Sequence, residues 1–204
     1  MTRIKFIYDT ERFSNNHVAE VQAAHGRAQE LSTNMRAQME DIWDQRRGLG
    51  LWKRRRKAWK ESSDFTRWLG DEKLTKRQIR LTRKRIFEIE KRLGKRVTYA
   101  LKTNRGHCKG HWAWHAGGLQ ARRVRICPNF YGHSTDIQAT VLIHEIVHGL
   151  GQLHLPFTTW HLIPANAHPR GADTRDKALA LARHHPRDAR RSPENYEHLS
   201  RAFA

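Results

Sequence analysis

Residues 144–154 read HEIVHGLGQLH, and this stretch carries most of what the sequence says about the fold. On an α-helix, His144 and His148 lie one turn apart on the same face, so both imidazoles can reach one metal ion. Glu145 lies beside them, where it can take a proton from a metal-bound water. The glycine three residues after His148 lets the chain leave the helix, after which His154 can return as a third ligand. The stretch therefore predicts a zinc site.

The helix that carries this stretch is predicted to be buried. It is apolar on most of its circumference, and Thr135 and Gln138 form a predicted capping box at its start. Unpaired histidine and glutamate side chains would be costly in a core unless a metal or a hydrogen-bond partner satisfied them. The plainer alternative is a histidine-rich surface helix, and the apolar pattern disfavours it. Its apolar residues are Ile137, Val141, Leu142, Ile143, Ile146, Val147 and Leu150.

The spacing of these residues resembles the signature of the metzincins, a family of zinc endopeptidases. The match is His144-Glu145-x-x-His148-x-x-Gly151-x-x-His154. The resemblance implies that the three histidines hold zinc and that Glu145 is the general base of peptide hydrolysis.

A wider part of the chain resembles the deuterolysin or lysine-specific metallo-endopeptidase group, the aspzincins. The matching segments are ICPNFY at 126–131 and NYEH at 195–198, and the similarity spans roughly residues 97–204. In that group an aspartate after the helix is the third zinc ligand, and Asp173 is the closest match. An N-cap of the following helix is the alternative role for Asp173, and we expect the N-cap role, with His154 as the third ligand.

The elements around the motif predict an α+β fold with a zincin-like catalytic domain. Segments 97–101, 111–115 and 124–127 alternate between apolar and polar residues, which predicts a small antiparallel sheet ahead of the active-site helix. In zincins an edge strand binds the extended substrate by backbone pairing, and 111–115 is the candidate edge. A serine followed by proline predicts a last helix over 193–202.

The first half of the chain is predicted to be helical and basic. Apolar residues at steps of three and four predict a long amphipathic helix over 15–46. A capping box at Thr75 begins a second helix, which ends at Gly94. These two helices would form a basic hairpin that precedes the catalytic part. The predicted domains are therefore a basic helical region, 1–96, and a zinc metallopeptidase domain, 97–204.

The formal charge of +19 predicts a polyanionic partner. Eight of the fifteen residues from 46 to 60 are basic, and no acidic residue occurs between Lys91 and Thr135. Such a density of like charge repels itself and favours a partner such as nucleic acid, an acidic protein or an anionic membrane surface. The sequence does not distinguish these three, and it does not indicate the oligomeric state.

The two cysteines, Cys108 and Cys127, lie on either side of the predicted sheet. The aspzincin resemblance implies that they form a disulfide, and the alternative is a pair of buried thiols. The first residues hold no apolar run of signal-peptide length, and no segment approaches a membrane span. We therefore expect a cytoplasmic protein at synthesis. A disulfide would imply an oxidising destination, reached without a signal peptide, as for an exported toxin or effector.

The function predicted from these observations is zinc-dependent endopeptidase activity on a protein or peptide substrate. Tyr196 is the predicted second donor that steadies the tetrahedral oxyanion, with His168 as the other candidate. Two alternatives remain open at this stage. The first is a SprT-like protease that acts on DNA-bound proteins and uses His161 or His168 as the more distant ligand. The second is a non-catalytic basic binding protein, which would have no need of Glu145.

Overall fold

The computed structural model describes residues 4–8, 14–45, 48–101, 108, 111–115, 123–153 and 174–204. These residues form a helical body around a small sheet, in agreement with the predicted α+β class. The strands are β1 (Ile4–Tyr8), β2 (Val97–Leu101), β3 (Ala113–His115) and β4 (Arg123–Ile126). The helices are α1 (Asn15–Trp43), α2 (Leu51–Glu61), α3 (Ser63–Leu69), α4 (Lys76–Leu93), α5 (Thr135–Leu153), α6 (Arg175–His184), α7 (Pro186–Ala189) and α8 (Pro193–Arg201).

The four described strands form one mixed sheet in the order β1-β2-β4-β3. β1 and β4 both run parallel to β2, and only β3 is antiparallel to its neighbour β4. The predicted antiparallel sheet is therefore wrong. Parallel strands need a long crossover, and α1 to α4 supply it between β1 and β2. The predicted edge position of the 111–115 segment is confirmed, because β3 pairs with β4 alone among the described strands.

The long helix predicted over 15–46 is confirmed as α1, which ends at Trp43. Ser14 caps its start by accepting a hydrogen bond from the backbone N–H of His17 at 3.2 Å. The buried face repeats every three or four residues, as an amphipathic helix requires. α1 packs this face against α4 and α5, so it supports the helix that carries the HEIVH motif. The buried apolar residues of α1 are Val21, Ala24, Ala28, Leu31, Met35, Met39 and Ile42.

The second predicted helix is confirmed as α4, together with its capping box. The side chains of Thr75 and Gln78 each accept a hydrogen bond from the other residue's backbone N–H, at 3.3 and 3.0 Å. Arg83 of α4 donates two hydrogen bonds to the Glu40 carboxylate of α1, at 2.7 and 2.9 Å. α1 and α4 therefore pack together as predicted, but α2 and α3, which were not predicted, connect them.

The basic segment 46–60 does not lie wholly at the surface. Arg55 is buried, with its guanidinium 3.6 Å from the ring centre of Trp43 and 4.8 Å from that of Trp52. Trp59 is fully buried and donates from its indole N–H to the Gly70 carbonyl at 3.1 Å. These residues anchor α2 on the body of the protein through cation–π contacts and hydrogen bonds.

Contacts cross the predicted domain boundary at residues 96 and 97. β1 pairs with β2 from Ile4 opposite Val97 onward. His25 of α1 is joined to the Tyr99 hydroxyl of β2 by a buried hydrogen bond of 2.7 Å. One cluster of buried apolar side chains includes residues from both sides of the boundary. The division into 1–96 and 97–204 stays a prediction.

Cys108 and Cys127 form a disulfide, as the aspzincin resemblance implied. Cys127 directly follows β4, and its backbone N–H donates to the Trp112 carbonyl at 2.9 Å. The bond therefore ties the chain ahead of β3 to the end of β4. Among the described helices, none combines the length and the apolar character that a membrane crossing requires.

Candidate metal centre

α5 begins with a cap that differs from the predicted one. Ser134, the residue before the helix, accepts a hydrogen bond from the backbone N–H of Ile137 at 3.4 Å. The predicted capping box of Thr135 and Gln138 is wrong, because the Gln138 side chain points into the core. There its amide donates to the Phe130 carbonyl and to a glutamate of α1, each at 3.0 Å. These bonds fix the start of α5 against α1.

α5 places the three motif residues in one cluster, the His-Glu-His cluster, made of His144, Glu145 and His148. The candidate ligand atoms of these residues all lie within 4.8 Å of one another. The Nε2 atoms of His144 and His148 are 3.0 Å apart. Two imidazole nitrogens bound to one tetrahedral zinc are about 3.3 Å apart, given bonds of about 2.0–2.1 Å. The two histidines therefore fit a shared zinc ion with almost no movement.

Glu197 of α8 orients His144 through a hydrogen bond. Its carboxylate accepts a hydrogen bond from Nδ1 of His144 at 3.0 Å. Arg201, one turn further along α8, donates to the other carboxylate oxygen at 2.5 Å. A carboxylate on Nδ1 fixes the tautomer that leaves Nε2 for a metal, as in many carboxylate–histidine–zinc sites. Glu197 lies in the NYEH segment, but its contact with His144 was not predicted from the sequence.

Burial and neighbouring charges shift the pKa values of this group. Burial alone would lower the pKa of His144, but the hydrogen bond to Glu197 and three nearby carboxylates outweigh it and raise the pKa to about 9. Burial raises the pKa of Glu145 to about 7, although the charge of His144 opposes this shift. Burial also acts to raise the pKa of Glu197, but the bond and charge of His144 hold it below the ordinary value. In the metal-free protein His144 and Glu197 thus form an ion pair.

The edge strand β3 lies directly against the His-Glu-His cluster. The backbone N–H of His115 donates a hydrogen bond to the Glu145 carboxylate, which opposes the rise in its pKa. Gly149 of α5 leaves room for the His115 ring, because a Cβ at position 149 would lie 2.4 Å from its Nε2. Any larger residue there would push the strand or its histidine away from α5. The close approach of strand and helix therefore depends on this glycine.

Tyr196 lies in the hydrophobic core. Its ring is fully buried, and its hydroxyl donates a hydrogen bond to the Arg190 carbonyl at 3.2 Å. A hydroxyl that donates its proton there has none to offer an oxyanion. The structure therefore does not support the predicted oxyanion role of Tyr196.

The candidates for the third ligand lie outside the described residues. They are His154, His161, His168 and Asp173. The structure does show which residue caps α6: the Thr174 hydroxyl accepts from the backbone N–H of Lys177 at 3.4 Å. The predicted N-cap role of Asp173 is therefore wrong, because its neighbour performs it.

Comparison with known proteins shows what the chain resembles. No protein-family model matches the sequence, and no curated protein matches it in sequence. Among solved structures, it is similar to a zinc peptidase from Grifola frondosa, with a TM-score of 0.63 and 15% sequence identity. The similarity covers 94% of this chain and 98% of that one. The chain therefore has the fold of a zinc peptidase over almost its whole length.

Proposed function

We propose that this protein is a zinc-dependent endopeptidase. The observation that carries the proposal is the His-Glu-His cluster, in which two Nε2 atoms 3.0 Å apart lie beside a buried carboxylate. The fold shared with a zinc peptidase supports it. A purely structural zinc site would need no carboxylate at this position, so the alternative of a non-catalytic binding protein is less well supported.

Each described residue of the site has a distinct role in this proposal. His144 and His148 hold zinc, which when bound acts as a Lewis acid on a water molecule and on the scissile carbonyl. Glu145 takes a proton from the attacking water and gives it to the leaving amine. Burial raises the pKa of Glu145 above its ordinary value, which makes its carboxylate a stronger base toward the water. Glu197 positions His144.

The substrate in this proposal is an extended segment of a protein. β3 is the last strand in the described order β1-β2-β4-β3, and the backbone N–H of His115 in this strand donates to the Glu145 carboxylate. A peptide that pairs with this edge would lie across the catalytic helix. Backbone hydrogen bonds bind an extended peptide with little dependence on its side chains. This mode of binding suits an endopeptidase, which cleaves within a chain.

The third zinc ligand in the proposal is His154, with Asp173 as the alternative. α5 continues through Gly151 to Leu153, so the predicted exit from the helix at this glycine is wrong. His154 directly follows the end of α5, and we propose that the chain turns back to the metal there. The cap at Thr174 removes the competing role for Asp173, which strengthens the alternative implied by the aspzincin resemblance.

The disulfide supports an oxidising place of action. Such bonds persist outside the reducing cytosol, in a periplasm or outside the cell. We include in the proposal that the protease acts there as an exported effector. This setting favours it over the alternative of a SprT-like protease that acts on DNA-bound proteins in the reducing cytosol.

Zinc content and proteolysis, measured on the same preparations, test the proposal. We expect about one zinc per chain and cleavage of unfolded casein, with both lost in His144→Ala and in His148→Ala. His184→Ala is the matched control, because this histidine is exposed at the end of α6. Full zinc retention in either ligand variant would contradict the proposed site.

A further inference from the structure

The first half of α4 and the segment around α7 bring basic side chains close together, and we name this group the arginine face. Residues 75–87 of α4 contain no acidic residue, and residues 181–193 contain only Asp188. The arginine face consists of Arg77, Arg80, Lys84, Arg85, Arg187 and Arg191.

Tertiary packing, and not a single charged helix, brings these side chains together. Positions 77, 80 and 84 follow one another at steps of three and four, so their side chains share one face of α4, and Arg85 lies beside this face. Arg85 donates a hydrogen bond to the carbonyl of Arg190, and its guanidinium lies 5.7 Å from the ring centre of Tyr196. These contacts hold α4 beside residues 187–191. Two segments about one hundred residues apart in sequence thus contribute cations to one surface.

The arginine face is electrostatically unfavourable in isolation. The pKa of Arg191 is lowered, first by partial burial and then by the positive charges of Arg85, Arg187 and Arg77, and Asp188 opposes this only in part. The start of α4 adds the positive end of a helix dipole to the same region. A folded protein that gathers like charges from separate segments is stabilised when an anion with several charges neutralises them.

The side chains around the arginine face indicate the class of anion. Five of its six cations are arginines, whose planar guanidinium groups match the geometry of phosphate oxygens. Leu81, at 44% exposure, is the one large apolar side chain exposed on the described surface of α4. Docking on a membrane interface requires a contiguous group of apolar side chains, so this surface does not favour a membrane partner. Trp59 is buried and Trp52 lies beneath Lys76 and Arg80, so neither supplies an open ring for stacking on unpaired bases.

We propose that the arginine face binds the phosphate backbone of double-stranded nucleic acid without reading its sequence. Binding of this kind is driven by the release of counterions, and its affinity falls with salt in proportion to the number of phosphates contacted. The arginine face shares no residue with the metal centre, so the proposal does not depend on the proposed peptidase function.

The test measures binding of a fluorescent duplex of about 20 base pairs by the full-length protein, between ~50 and ~200 mM salt. The variant Arg77→Gln/Lys84→Gln/Arg187→Gln removes three exposed cations of the arginine face. We expect its affinity to be at least ~10-fold weaker, with the slope of log affinity against log salt shallower by about 3. The double variant Arg77→Gln/Arg187→Gln should change the slope by about 2.

A control with the same loss of charge decides whether the effect is local. The variant Lys91→Gln/Lys95→Gln/Arg96→Gln removes three exposed cations from the last turn of α4 and the residues that follow it. It should change the slope by less than 1, while thermal unfolding and zinc content match the parent in all variants. Equal weakening by both triple variants would overturn the proposal, as would failure of the parent to bind the duplex. Binding to phosphatidylserine vesicles in place of DNA would assign the face to a membrane and overturn it as well.

Discussion

Replacing Glu197 by alanine should weaken zinc binding although Glu197 does not contact the metal. The variant removes the carboxylate that holds Nδ1 of His144 at 3.0 Å. The imidazole is then free to rotate and to adopt the tautomer that carries its proton on Nε2. Loss of such a supporting partner reduces metal affinity by about 10- to 100-fold. This corresponds to ~1.4–2.8 kcal/mol of binding free energy.

The expected loss depends on pH, because Glu197 has two opposing effects. It orients His144 for zinc, but it also raises the pKa of His144 to about 9, so a proton competes with zinc below that pH. The alanine variant loses both effects. Its affinity deficit should therefore be largest near pH 9 and smaller at neutral pH, where the parent must first release the proton.

The assay is competition for zinc with a chromophoric chelator, at pH values near 7 and 9. Glu197→Gln should fall between the parent and the alanine variant, because its amide oxygen still accepts from Nδ1 but carries no charge. Arg201→Gln is the control: it removes the other partner of Glu197 and leaves the bond to His144. A zinc affinity of Glu197→Ala within about threefold of the parent at pH 9, with unchanged thermal unfolding, would refute this reasoning.

Three further predictions follow from particular contacts. Gly149→Ala places a Cβ 2.4 Å from an imidazole nitrogen of β3. We expect the free energy of unfolding, measured by chemical denaturation, to fall by ~1–3 kcal/mol and casein cleavage to decrease. Parent-like values of both would exclude the tight contact. His154→Ala should lose zinc while Asp173→Asn retains it, by metal analysis of purified protein, and the reverse result would make the aspartate the third ligand. Replacing both cysteines by serine removes the disulfide, whose cysteines are 19 residues apart in sequence. We expect the free energy of unfolding to fall by ~3 kcal/mol. Unchanged stability would contradict the view that this disulfide stabilises the fold.

The elements that the sequence predicted correctly are those whose signals are local. In α1 and α4 a buried residue recurs every three or four positions, so each helix can be recognised without knowing its neighbours. The capping box at Thr75 is likewise contained within four residues. The same locality explains the central part of the site, because one helical turn is enough to bring His144 and His148 together.

The features that the sequence did not predict depend on distant partners. β1 has five residues, and among the described strands it pairs with β2 alone, more than 90 residues later, so its local signal is weak. α2 buries only Arg55 and Trp59, which leaves no apolar stripe to recognise. Glu197 is 53 residues from His144 in sequence, and only the packing of α8 on α5 brings its carboxylate to the imidazole.

The most direct test of the central claim is the proteolytic activity of zinc-loaded Glu145→Gln. Glutamine keeps the size of the side chain and can still accept the hydrogen bond from β3, but it cannot take a proton from water. We expect zinc content and thermal unfolding to match the parent, while casein cleavage measured by mass spectrometry falls by ~10²-fold or more. Cleavage at the parental rate by this variant would show that Glu145 is not the base and would contradict the proposed mechanism.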